Sequence, residues 1–90
     1  MLDTMSEPTL RELKSRAQLL NPAIKLGKAG ATTEFLAEFE KLLAKNGLVK
    51  MRFEGFKDDR KPLSRELAEK LGASLVQQVG HTAVYYRKPV

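Results

Sequence analysis

Residues 32–55 read TTEFLAEFEKLLAKNGLVKMRFEG, and the apolar pattern changes period once within them. Before Asn46, the residues Phe35, Leu36, Phe39, Leu42 and Leu43 recur at helical spacing on one face. Thr32 is the expected N-cap, and Glu34 lies in the first turn, where a carboxylate suits the helix dipole. Asn46-Gly47 is a C-terminal cap signal. Over Leu48–Gly55, Val49, Met51 and Phe53 then alternate with Lys50, Arg52 and Glu54, as in a strand with one buried and one charged face. The switch from helical to strand period places the chain in the α/β class.

Upstream, residues 24–33 read IKLGKAGATT. Ala23–Leu26 is a short buried strand in expectation, and it runs into a Gly-x-x-Gly turn that contains Lys28. Glycine at positions 27 and 30 is expected to permit positive φ and to remove the Cβ that would hold a phosphodiester backbone away. The first-turn amides of the following helix have no partner within it, so the turn is suited to face an anion. The same spacing also arises wherever a chain turns tightly from strand to helix, and the turn alone leaves both readings open. Earlier still, Thr9–Leu20 places Leu10, Leu13, Ala17 and Leu20 at helical spacing, with Arg11, Lys14 and Arg16 on other faces. Asn21-Pro22 ends that helix, because the residue before proline avoids the α region.

Downstream, Phe56–Lys61 is a charged connection, and Pro62 suits the first turn of a third helix carrying Leu63, Leu67, Ala68 and Leu71. Gly72 ends it. Ser74–Val79 and Ala83–Arg87 flank Gly80-His81-Thr82 and read as a β-hairpin. The order is α-β-α-β-α-β-β, which predicts a four-stranded mixed sheet with three helices. Two strand-helix-strand units imply parallel pairing with right-handed crossovers, and the hairpin adds an antiparallel strand. The expectation is one domain over residues 1–90.

A chain of 90 residues buries only roughly 60 to 65% of its unfolded surface, so its core is modest and a deep enclosed substrate cavity is not expected. With 16 Lys plus Arg against 11 Asp plus Glu, it carries a formal net charge of +5 and suits a polyanionic partner. Most of that excess lies in the second half, where nine basic residues face five acidic ones from Asn46 onward. Cysteine is absent, which excludes disulfides and thiolate metal sites. No apolar stretch approaches a membrane-spanning length, Met1–Leu10 lacks the form of a signal peptide, and a reducing cytoplasm is the expected compartment.

Gly27-Lys28-Ala29-Gly30 is not a Walker A loop, which needs a glycine where Pro22 stands, nor a dinucleotide fingerprint, which needs one where Ala29 stands. What remains is a short amide cradle, similar in kind to the loop with which KH domains clamp a nucleic acid backbone. His81 is the single histidine and sits in a turn. Asp58 and Asp59 fall in a charged loop, and Ser6, Ser15, Ser64 and Ser74 have no histidine near in sequence. No catalytic residue, metal or cofactor is expected.

The basic residues carry more. Arg11, Lys14, Arg16, Lys25 and Lys28 come from the first helix and the glycine turn, Lys50 and Arg52 from the polar face of the second strand. Lys57, Arg60, Lys61 and Arg65 surround the start of the third helix. Parallel strand-helix units open their turns on the same edge of the sheet, so the glycine turn and Lys57–Arg65 are expected side by side. Tyr85 and Tyr86 point to opposite sides of the last strand, and alternation leaves open which one faces inward. With two tyrosines and four phenylalanines there is no multi-base stacking platform, and recognition of backbone and shape is expected.

The turn Lys25-Leu-Gly-Lys-Ala-Gly30, Thr32 with its long helix, and Gln78-Val-Gly-His-Thr-Ala-Val-Tyr-Tyr-Arg87 together resemble the CRM domain, named for chloroplast RNA splicing and ribosome maturation, most of all its stand-alone bacterial YhbY-type form. The resemblance runs from about Leu10 to Arg87. It implies a fold similar to the C-terminal domain of translation initiation factor three and a non-catalytic RNA-binding module. Stand-alone members associate with precursors of the large ribosomal subunit, and plant members act in group II intron splicing. The family's glycine loop is held to contact RNA, a role that the resemblance carries to Gly27, Lys28, Ala29 and Gly30. Around that loop the expected RNA-binding residues are Lys25, Arg11, Lys14, Lys57, Arg60, Lys61 and Arg65, with RNA as the partner and a monomer as the state. A protein-interaction adaptor on ribosomal or assembly proteins is the competing expectation, and a small enzyme a distant third.

Overall fold

The computed structural model describes residues 8–89. Its elements are α1 (Leu10–Ala17), β1 (Ile24–Leu26), α2 (Thr33–Asn46), β2 (Leu48–Phe53), α3 (Arg60–Leu71), β3 (Ser74–Val79) and β4 (Thr82–Tyr86). Order and type agree with the sequence reading, and the boundaries differ by a few residues. The first helix begins on a full capping box: the Glu12 amide donates to Thr9 Oγ1 at 3.1 Å and the Thr9 amide to Glu12 Oε1 at 2.8 Å. It ends at Ala17, earlier than Asn21-Pro22 implies. The chain tightens there, with the amides of Leu19 and Leu20 donating to the carbonyls three residues back.

The strands lie in the order β1-β2-β4-β3. Parallel pairing sets Ile24 opposite Met51 and Leu26 opposite Phe53, while β4 runs antiparallel to both β2 and β3. The second strand-helix-strand unit therefore does not pair its own strands; β4 fills the gap between them. Burial explains the choice. Ala83, Val84 and Tyr85 are all buried, so β4 presents apolar side chains on both faces and needs a neighbour on each side. β3 has a single fully buried residue, Val76, and takes the edge.

Two helices cover one face of the sheet. Phe39 and Leu43 of α2 and Leu67 and Leu71 of α3 pack on Leu26, Val49, Met51, Phe53, Ala83 and Tyr85. The Phe39 and Tyr85 rings meet edge to face with centroids 5.2 Å apart. On the other face, α1 sets Leu13 and Ala17 against Leu48, Val76 and Val84. The tyrosine question resolves as a matter of layers. Tyr85 is fully buried and its hydroxyl donates to the Ser64 carbonyl at 3.0 Å, while Tyr86 is half-buried on the α1 side. Burial pushes the Tyr85 hydroxyl pKa up to about 12.

Candidate nucleic-acid interface

Leu26 and Phe53 are neighbours at the ends of parallel strands, so the connections that leave β1 and β2 start from one end of the sheet. The β3–β4 turn joins them there, since the Phe53 amide donates to the His81 carbonyl at 2.7 Å. The glycine turn and the segment from Glu54 to Asp59 thus lie at a common end, as the parallel units imply.

The glycine turn closes through a 2.9 Å bond from the Gly30 amide to the Gly27 carbonyl, and a second of 2.9 Å runs from Thr32 to the Gly30 carbonyl. Thr32 caps α2 by accepting from the Phe35 amide at 3.1 Å. The two glycines differ. Gly30 has φ +77°, a region unfavourable to L side chains, whereas the φ of Gly27 lies outside that region. Of the two positions expected to permit positive φ, only Gly30 adopts it. A Cβ on Gly27 would make an ordinary 3.9 Å contact with Glu54, so neither conformation nor internal packing demands glycine there. Its bare surface faces outward in company. Among the described residues the amides of Lys28, Ala29 and Ala31 have no protein acceptor, and the Lys28 side chain is exposed.

Glu54 stands beside the turn. It pairs with Lys25 at 3.6 Å and with Arg52 at 3.3 Å, and all three side chains are about half exposed. Exposed pairs of this kind contribute little to stability, about 0 to 1 kcal/mol. From Gly55 the chain turns through two positive φ values, +106° at Gly55 and +56° at Phe56. The second costs a non-glycine residue about 1 to 2 kcal/mol, offset in part by the packing of Phe56 on Phe53 with centroids 6.4 Å apart.

Arg60 differs from the other expected contacts. Its Nε donates to the Gly55 carbonyl and its Nη1 to the Gly80 carbonyl, each at 3.2 Å, and its guanidinium lies 5.9 Å from the Phe53 ring centre. It fastens two loops together, with two of its five N–H donors spent on their carbonyls. Lys57 and Lys61 are exposed beside Gln78 and Gly80, and Lys61 and Arg65 line a shallow depression against Leu75 and Gln78 of β3. Arg11 and Lys14 are exposed on α1, across the sheet from α3. The expected residues thus divide into a set at the loop end, its continuation along α3, and an outlying pair on the opposite layer.

The hairpin stretch bonds mostly to its own protein. Gln78 Nε2 donates to the Gly80 carbonyl at 2.8 Å, and Thr82 Oγ1 to the Val79 carbonyl at 3.0 Å. Arg87 pairs with the Glu40 carboxylate at 2.7 Å and donates to the Leu71 carbonyl at 2.8 Å, tying the C-terminal halves of α2 and α3 to the strand that follows them. No local sequence pattern announces those partners, because Arg87 and Glu40 are far apart in the chain. Among the described residues no helix is long and apolar enough to cross a membrane, and no three His, Cys, Asp or Glu side chains gather as a metal site.

The family model described as the CRS1 / YhbY (CRM) domain matches residues 5–87. The chain belongs to the CRM domain family. A relative from Haemophilus influenzae, named "RNA-binding protein", is 34% identical over 87 residues, covering 96% of this chain and 88% of its own length. A second, from Pseudomonas aeruginosa and named a "probable RNA-binding protein", is 32% identical over 93% of this chain and 82% of its own. The solution structure of a hypothetical protein from Staphylococcus aureus has a similar fold, with a TM-score of 0.77, 30% identity, and coverage of 90% of this chain and 85% of that one.

Proposed function

We propose that this CRM protein is a non-catalytic RNA-binding protein, one domain over residues 1–90, that works as a cytoplasmic monomer on precursors of the large ribosomal subunit. The observation that carries the reading is Gly27: a glycine required by neither its φ nor its packing, on a turn where the amides of Lys28, Ala29 and Ala31 have no protein acceptor, and between Lys25 and Lys28. In the proposed contact a phosphate sits against those amides, with Lys28 beside it and Lys25 and Lys57 neutralising its neighbours. Lys61 and Arg65 extend the contact along α3, Arg11 and Lys14 lie outside its centre, and Arg60 positions the loops. The names of the relatives support RNA as the partner, and the absence of a role for Tyr85 outside the core favours backbone over base recognition.

Titration of the purified protein with a fragment of large-subunit ribosomal RNA at several salt concentrations tests this. Log affinity is expected to fall with log salt by about 0.7 to 0.9 per phosphate contact. Gly27→Asp is expected to weaken binding by at least about tenfold, on the scale of one lost contact in a charged site, with an unchanged unfolding midpoint. Salt-independent affinity, or full affinity in Gly27→Asp, overturns the mechanism.

A second reading, docking on a ribosomal or assembly protein, draws on Leu10 and Leu19, which are exposed on or beside α1 at 54% and 86%. Ribonuclease treatment of a lysate before fractionation separates the two: an RNA binder leaves the ribosomal fractions, whereas an adaptor stays with its protein. Support for group II intron splicing, the other role of the family, would appear as intron RNA among fragments crosslinked to the protein in cells.

A further inference from the structure

The face of the sheet that carries α1 is only partly covered by it. Leu48, Val76 and Val84 lie under the helix, and by strand alternation Lys50 and Arg52 continue the face of Leu48 toward the glycine turn. Lys50 stands opposite Val84 of β4, which confirms the side, and Lys25 stands opposite Arg52 across the parallel pair. The surface here is concave. A cleft of about 310 Å³ has Arg16, Ala23 and Lys50 in its wall, and another of about 360 Å³ has Ala23, Lys25 and Arg52. Ala23 belongs to both, so the clefts run into one another, and no acidic side chain lines either.

We infer that this cleft is a second RNA contact, a track for a single-stranded sugar-phosphate backbone that leaves the glycine turn and passes down β1 beside α1. The inference rests on the RNA-binding reading above and adds to it a surface on the other side of the sheet from α2 and α3. Lys50 and Arg52, two residues apart on one strand, are separated by roughly 7 Å, close to the step between successive phosphates of an extended strand. The cations form a file, and Tyr86, which shares their face, is half-buried against the residues under α1, which suits a backbone and not a stack of bases. A duplex presents its phosphates on a broad convex surface that a cleft of this size does not admit.

Glu54 marks where the track meets the turn. Its carboxylate pairs with both Lys25 and Arg52, and Oε1 lies 3.9 Å from the point that a Cβ on Gly27 would occupy. In the unbound protein it holds the place of a phosphate between two cations. An incoming RNA phosphate displaces it, and the like charge weakens RNA binding relative to a neutral side chain.

The test is a titration with a short single-stranded oligoribonucleotide across a salt series, using the full chain. The double variant Lys50→Gln/Arg52→Gln is expected to lower the slope of log affinity against log salt by about 1.4, two contacts at about 0.7 each. Glu54→Gln is expected to tighten binding by about two- to fivefold at low salt, the scale of an exposed ion pair. If wild type binds, Gly27→Asp weakens it, and the double variant keeps the wild-type slope, the track is wrong and the glycine-turn reading stands. If wild type fails to bind RNA, both fall. Unchanged or weaker binding by Glu54→Gln overturns the displacement. Should the double variant unfold, Arg16→Gln, at an exposed position of α1, is read in its place, and an unchanged slope there overturns the track equally.

Discussion

The glycine turn at residues 24–33 and the hairpin stretch at residues 78–87 both carry the family resemblance, yet their bonding is opposite. In the turn, the amides of Lys28, Ala29 and Ala31 are among those that lack a protein acceptor, and the lysines reach solvent. In the hairpin, Gln78, Thr82, Tyr85 and Arg87 each spend their polar atoms on the protein's own carbonyls or carboxylates. One segment leaves hydrogen-bonding capacity unused within the protein; the other uses it to hold the fold. A recognisable stretch of sequence therefore need not be a contact surface, and polar satisfaction separates the two cases.

The contrast breaks most visibly at Tyr85. Tyr85→Ala removes a fully buried ring from against Phe39 and is expected to cost about 3 to 5 kcal/mol, read by urea unfolding. RNA affinity of whatever fraction stays folded should be unchanged; a specific loss of affinity would place the hairpin in the interface. The ionisation of the same residue gives a subtler probe. Its folded pKa, about 12, lies above the ordinary value of 10.0, so the folded state holds the proton more tightly. That stability is complete below about pH 10 and is lost as pH rises toward 12, by about 2 to 3 kcal/mol at most. Tyr85→Phe cannot ionise, so its stability relative to wild type should improve across that window, and parallel pH profiles of the two proteins would refute the assignment.

Arg87→Ala leaves the Leu71 carbonyl and Glu40 without their partner and is expected to cost about 1 to 3 kcal/mol with no change in RNA affinity. The smallest effects sharpen the comparison within the turn itself. Gly30→Ala, forced to adopt φ +77°, should lose about 1 kcal/mol, whereas Gly27→Ala should stay within about 0.5 kcal/mol of wild type. Equal stability losses at the two positions would remove the argument that Gly27 is there for a partner.

Much of this was legible in the sequence because the signals are local. The period change at Asn46-Gly47, the cap at Thr32 and the glycine after α3 each act within a few residues, and the elements they predict are present. Strand order is not a local property. The β-α-β pattern suggests that β2 and β3 pair, and only the two-sided burial of Ala83–Tyr85 reveals that β4 belongs between them. The basic edge was legible in outline, since parallel strands fix where their turns open. The employment of Arg60 was not, because its acceptors are backbone carbonyls on two other loops, one of them 20 residues away. Likewise α1 reads as a basic amphipathic helix, but nothing in its own residues says which face of the sheet it covers.

The position of β4 has a consequence for how the protein comes into being. Of the four strands it is the last to be synthesised, yet it occupies an interior place and supplies the hydrogen bonds on one side of both β2 and β3. Until Tyr86 has left the ribosome, β2 has only the three residues of β1 beside it and β3 has no neighbour. At about 5 to 20 residues per second, the nascent chain therefore carries its glycine turn for several seconds before the sheet that mounts it exists. The end of the sheet that mounts the glycine turn is therefore completed by the strand made last, and the turn has no finished platform until that strand pairs.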